Sequence, residues 1–99
     1  MARKLVFAPL AGHHRTEFVN SWHLDALKVL AELDNHTHAH PEAGTETSNP
    51  GRFIQKIAIT VSPKVFLCEV VYSFTGHAVR WESFSWKVAK AAQSRRPPR

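Results

Sequence analysis

The chain has 99 residues, enough for one domain and too few for two with separate cores. Its 43% hydrophobic and 10% aromatic content excludes a disordered chain, and its single cysteine excludes an intrachain disulfide framework and a cysteine-based zinc site. The formal net charge of +5 is unevenly placed, with residues 1–50 at −2 and residues 51–99 at +7, so a polyanionic partner is expected to meet the second half.

At the N-terminus, Arg3 and Lys4 precede the apolar run Leu5-Val6-Phe7-Ala8, the pattern with which a signal peptide starts. Pro9 and then His13-His14 end that run early. No stretch approaches transmembrane length, so no membrane partner is expected, and the lone cysteine fits a reducing, cytoplasmic compartment. Residues 4–8 read as a short strand closed by Pro9. Thr16-Glu17 is a helix start, and Phe18, Trp22, Ala26, Val29, Leu30 and Leu33 then recur at helical spacing as a core-facing stripe. Residues 34–52 contain no periodic apolar positions but do contain Pro, Gly, Ser, Thr and Asn, which predicts a long flexible loop. Within it, His36, His38, His40 and Glu42 follow a spacing used by cupin metal sites. Such sites need a large barrel and a distant third histidine, and a helix precedes this segment instead, which favours a polar loop with incidental metal affinity; no metal or cofactor is expected.

Strands follow. In Phe53–Val61, Phe53, Ile57, Ile59 and Val61 alternate with Ile54, Lys56 and Thr60. After the turn Ser62-Pro63-Lys64, the next strand places Phe66, Cys68, Val70, Tyr72 and Phe74 on one apolar face, where the thiol packs as a small hydrophobe. Thr75-Gly76 signals a hairpin. In the strand His77–Glu82, Val79 and Trp81 point inward and Arg80 outward. Ser83 then caps a second helix with the buried stripe Phe84, Val88, Ala91 and Ala92. The expected fold is α+β over residues 1–94, in the order (β)-α-β-β-β-α. Its three-stranded antiparallel sheet carries two helices packed on one face, and 95–99 form a basic disordered tail.

On that second helix, Lys87 and Lys90 stand three residues apart and would share a face near the positive helix N-terminus, which makes a compact phosphate clamp. Ser85-Trp86-Lys87-Val88-Ala89-Lys90 resembles the Ser-Lys-Lys-x-Ala-Lys motif that opens the last helix of the double-stranded RNA-binding domain family. Ser85, Lys87, Ala89 and Lys90 occupy matching places over a resemblance that covers roughly residues 53–93. Trp86 stands where that family has its first lysine, and Ser62-Pro63-Lys64 is shorter than its Gly-Pro-x-His loop. The resemblance implies an RNA-binding module in which the last helix holds phosphates across the major groove of a duplex. Lys64 and Arg80 would extend the patch, and Arg95, Arg96 and Arg99 would add unspecific affinity. With its leading strand, the order is also similar to that of ribosome hibernation factors, which share the βαβββα fold and bind ribosomal RNA.

A second reading is a small protein-interaction or inhibitor protein, of the kind that viral and phage genes encode. It would dock through Ile54, Leu67 and Val71 on the half-apolar sheet face, or through Trp86, and could form a homodimer the same way. There is no paired carboxylate, Gly-rich phosphate loop or nucleophile elbow, so the expectation is a protein that is not an enzyme.

Overall fold

Six elements and one short turn make up residues 3–90, the part of the chain that the computed structural model describes. They are β1 (Lys4–Phe7), α1 (Pro9–Ala39), a 3-10 turn (Pro41–Ala43), β2 (Thr45–Glu46), β3 (Phe53–Val61), β4 (Lys64–Phe74) and β5 (Ala78–Lys90). The strands form one sheet in the order β1-β5-β4-β3-β2. β1 runs parallel to β5, and the other pairs are antiparallel.

Pro9 opens α1, where its missing N–H leaves no helical bond unmade. The helix is broken at His23, whose φ of 53° and ψ of −122° are not helical. Its two arms, 9–22 and 24–39, fold back on each other. Arg15 donates from Nη1 to Asp34 Oδ1 at 2.7 Å and from Nη2 to Oδ2 at 3.1 Å. In an unbroken helix these residues would stand roughly 28 Å apart. Phe18 on the first arm and Ala26, Val29, Leu30 and Leu33 on the second are buried against the sheet. The Arg15 guanidinium also lies over the rings of Phe7 (3.9 Å) and Trp81 (4.7 Å), so one side chain ties both arms to the sheet.

No proline or glycine marks the break at 23. A positive φ strains an L residue by about 1–3 kcal/mol, against about 0.5–1 kcal/mol of extra chain entropy lost by glycine. His23 is exposed, so nothing else opposes the exchange. The substitution His23→Gly is therefore expected to raise stability by about 1 kcal/mol, read as a higher urea midpoint at unchanged slope. A lower midpoint would count against the left-handed turn.

β3, β4 and β5 carry the core on their helix side. Phe18 meets Phe66 and Phe84 edge-on at 5.6 and 5.2 Å, and Trp22 meets Phe66 at 5.4 Å. At the other end, the buried Tyr72 hydroxyl donates to the Pro41 carbonyl and accepts from Gln55 Nε2 at 2.9 Å. Gln55 Nε2 also reaches the His40 carbonyl at 2.8 Å, which pins the chain leaving α1 to the sheet. Gly44 passes so close that an added methyl would collide with the Tyr72 hydroxyl. Burial raises the Tyr72 pKa, which keeps the phenol protonated as a donor.

The expected architecture is corrected in three places. First, residues 83–90 continue β5 and form no second helix, so the sheet has five strands in mixed pairing and, among the described residues, the helical layer is α1 alone. The expected (β)-α-β-β-β-α order is therefore not the order of the described residues. Second, 34–52 is not one loop: α1 runs to Ala39, and a 3-10 turn and β2 follow. Third, the helix starts at Pro9 rather than at Thr16. Ala91, Ala92 and the expected tail 95–99, with Arg95, Arg96 and Arg99, lie outside the described residues.

The error in β5 has a physical source. Tyr72 pairs with Trp81 and Val71 with Ser83, so Glu82 is an extra residue, a bulge. The bulge shifts the alternation by one, and both Trp81 and Phe84 face the core. The resulting spacing 81, 84, 88 reads as a helical stripe. Past the bulge, Phe84, Trp86 and Val88 alternate strictly with Ser83, Ser85 and Lys87.

Candidate polyanion-binding face

α1 covers one side of the sheet and leaves the other open. On the open side, alternation places Ile54, Lys56, Ala58 and Thr60 from β3, and Val65, Leu67, Glu69, Val71 and Ser73 from β4. β5 adds Arg80, Ser83, Ser85, Lys87 and Ala89, and β1 adds Lys4 and Val6. Arg52, just before β3, joins the same side by reaching Glu82. The face thus carries Lys4, Arg52, Lys56, Arg80 and Lys87 against Glu69 and Glu82, and all five cations are exposed.

Both acids are engaged by their neighbours. Glu82, on the bulge, lies 3.4 Å from Arg80 Nε and 3.8 Å from Arg52 Nη2, and it accepts from the Ser73 hydroxyl at 3.2 Å. Two guanidiniums therefore share one carboxylate. Glu69 sits 4.0 Å from Lys56 Nζ. Lys4 and Lys87 have no ion pair among the described residues, so the face keeps a positive surplus.

The cluster expected from the sequence is divided by the sheet. Lys87 and Lys90 are three apart on a strand, which sends them to opposite faces. Arg80 and Lys87 stay together on the open side. Lys64 belongs to the helix side, where its ammonium bridges Asp25 at 3.0 Å and lies 5.9 Å from the centre of the Trp22 ring. Lys90 is its cross-strand neighbour. Trp86, expected as a partner anchor, faces α1: its ring stacks on Phe84 at 5.4 Å and packs on Phe18 at 4.7 Å. Lys4, Arg52 and Lys56 are additions to the candidate set. The alternation of Phe53–Val61 was enough to find Lys56, whereas Lys4 depended on the parallel pairing of β1 with β5.

His36, His38, His40 and Glu42 lie along the end of α1 and the 3-10 turn, and no group of three or more such side chains is gathered for a metal among the described residues. His38 Nε2 meets the Arg3 carbonyl. Cys68 is buried, and desolvation pushes its thiol from 9.0 up to about 12. Native protein at pH 8 is expected to leave Cys68 unmodified by iodoacetamide, with full labelling in urea; rapid native labelling would contradict its burial. The sign of the linkage follows. An unfolded thiol ionises from about pH 9 while the folded one stays neutral to about 12, so stability from this group is intact below 9 and falls above it.

No described helix is long and apolar enough to cross a membrane. No family model matches the chain, and no curated protein matches it in sequence.

Proposed function

We propose that this protein is a non-catalytic module that binds structured or double-stranded RNA through the open face of its sheet. One observation carries the reading: a face that no described element covers, with five exposed cations and two acids, each acid paired with a neighbouring cation. Arg80 and Lys87 stand seven positions apart on β5, roughly 23 Å, which is long enough to follow several phosphates of one backbone. The face bears no aromatic ring on which successive bases could stack, so contact with backbone and shape is favoured over sequence reading. The buried thiol and the RNA partner both fit a cytoplasmic setting.

A second reading rests on the same face. Leu67 is 45% exposed between Ala58 and Lys87, with Ile54 and Val71 nearby, and this mixed surface suits a protein partner or a second copy of the chain. The separating experiment is fluorescence anisotropy against matched RNA duplex, DNA duplex and single-stranded RNA over a salt series. Preference for the RNA duplex at about 150 mM salt supports the first reading. Equal, weak binding to all three that vanishes there would overturn it and favour the protein partner.

A further inference from the structure

The open face is not uniform. Two adjacent cross-strand rows, Lys56-Glu69-Ser85 and Ala58-Leu67-Lys87, surround a hollow of about 520 Å³. Its origin is a size pattern. Small Ala58 and Ser85 occupy one diagonal of the six positions, and long Lys56 and Lys87 occupy the other. Leu67 and Glu69 fill the middle strand. The lysine Cα atoms stand roughly 12 Å apart by strand spacing, so both ammoniums can lean over one small ligand. The lining is more apolar than polar, as in most ligand sites, and its few polar groups converge from three strands.

We infer that this hollow seats one unpaired nucleotide of the bound RNA, with its base on Leu67 and Ala58 and its phosphates against Lys56 and Lys87. The inference rests on the RNA-binding reading and narrows it from any structured RNA to RNA that offers a looped-out base. The chemistry of the hollow selects this occupant. A base has a flat apolar face for the 45%-exposed Leu67, an anionic backbone on either side for the lysines, and a polar edge. Glu69 completes the match. Its carboxylate accepts hydrogen bonds and would repel the head of an anionic amphiphile, but it suits the exocyclic amino group of cytosine or adenine. Ser85 adds a hydroxyl that can donate or accept.

The test compares an RNA duplex with the same duplex carrying one bulged cytidine or one bulged uridine, by fluorescence anisotropy at fixed salt. The cytidine bulge is expected to bind about tenfold more tightly than the unbroken duplex, from apolar burial against Leu67 and a hydrogen bond to Glu69, and more tightly than the uridine bulge. Leu67→Ser should remove the bulge preference while leaving duplex affinity intact. Glu69→Gln should narrow the gap between cytidine and uridine, because the glutamine amide can donate to uracil O4. Both side chains are exposed on strand positions, and circular dichroism of each variant checks that the fold is kept. Equal affinity for bulged and unbroken duplexes overturns the inference and leaves the RNA-binding reading standing. So does a bulge preference that Leu67→Ser does not change. Absence of binding to any of these RNAs at low salt overturns both.

Discussion

Replacing Trp81 with alanine is expected to cost about 4 kcal/mol of folding stability, read from urea unfolding followed by circular dichroism. The ring is fully buried at the point where three parts of the chain meet. Its indole N–H donates to Thr37 Oγ1 at 3.0 Å, which ties the second arm of α1 to β5. Phe7 from β1 meets it edge-on at 5.4 Å, and the Arg15 guanidinium from the first arm lies 4.7 Å from its centre. Alanine would lose the transfer energy of a ring that buries about 150–250 Å² and leave a cavity. It would also remove the donor to Thr37, whose hydroxyl would keep only its contacts within α1, to the Leu33 carbonyl at 3.0 Å and the Asp34 carbonyl at 3.4 Å. Trp81→Phe separates these terms: it keeps most of the ring and loses the N–H, at a cost of about 1–2 kcal/mol. Trp86→Ala should cost clearly less than Trp81→Ala, because the Trp86 ring is only half-buried. Since a domain of this size is stable by about 5–15 kcal/mol, the Trp81→Ala variant should unfold at markedly lower urea. A loss below about 2 kcal/mol would show that the junction of arms and sheet does not depend on this ring.

How far the sequence went is clearest in the strands. The bounds of β3 and the inward face of β4 were legible because each obeys one period without interruption, with apolar positions every second residue. Trp81 inward and Arg80 outward followed by the same rule. The rule failed at Glu82, where one extra residue turned a period of two into the spacing 81, 84, 88. A bulge is a property of a pair of strands, and a single strand's sequence contains only half of that pair. Trp86 was the available signal, since Phe84, Trp86 and Val88 restore alternation once it is counted as an inward residue.

The helix shows the opposite case. Phe18, Ala26, Val29, Leu30 and Leu33 were legible as its buried stripe, yet buried Ala11 and Thr37 and the reversal at His23 were not. Each arm obeys helical spacing toward the same sheet, so the stripe reads through the break. The turn is held by contacts distant in sequence, chiefly Arg15 with Asp34 and Lys64 with Asp25. At the candidate site, charge concentration in the second half of the chain was legible from composition. Which cations act together was not, because it depends on whether residues 83–90 form a helix or a strand. Three residues apart means one face in a helix and two faces in a strand.

That difference gives the sharpest binding result expected of this protein. Lys56→Glu with Lys87→Glu should lower affinity for RNA duplex about a hundredfold at low salt and make the salt dependence shallower by about two phosphates. Both ammoniums are on the open face, and Lys87 has no ion pair among the described residues to lose. Each exchange removes one attraction to phosphate and adds one repulsion on a face whose surplus is only a few charges. Lys90→Glu should change affinity by less than about threefold, because its side chain belongs to the helix side, next to Lys64. If Lys87→Glu and Lys90→Glu weaken binding equally, the phosphates do not lie on the open face and the binding surface is the β5 end with both sides exposed. If neither matters and duplex binding persists, contacts to the RNA lie elsewhere on the chain. Only a loss confined to the open-face lysines ties RNA binding to the side of the sheet that α1 leaves uncovered.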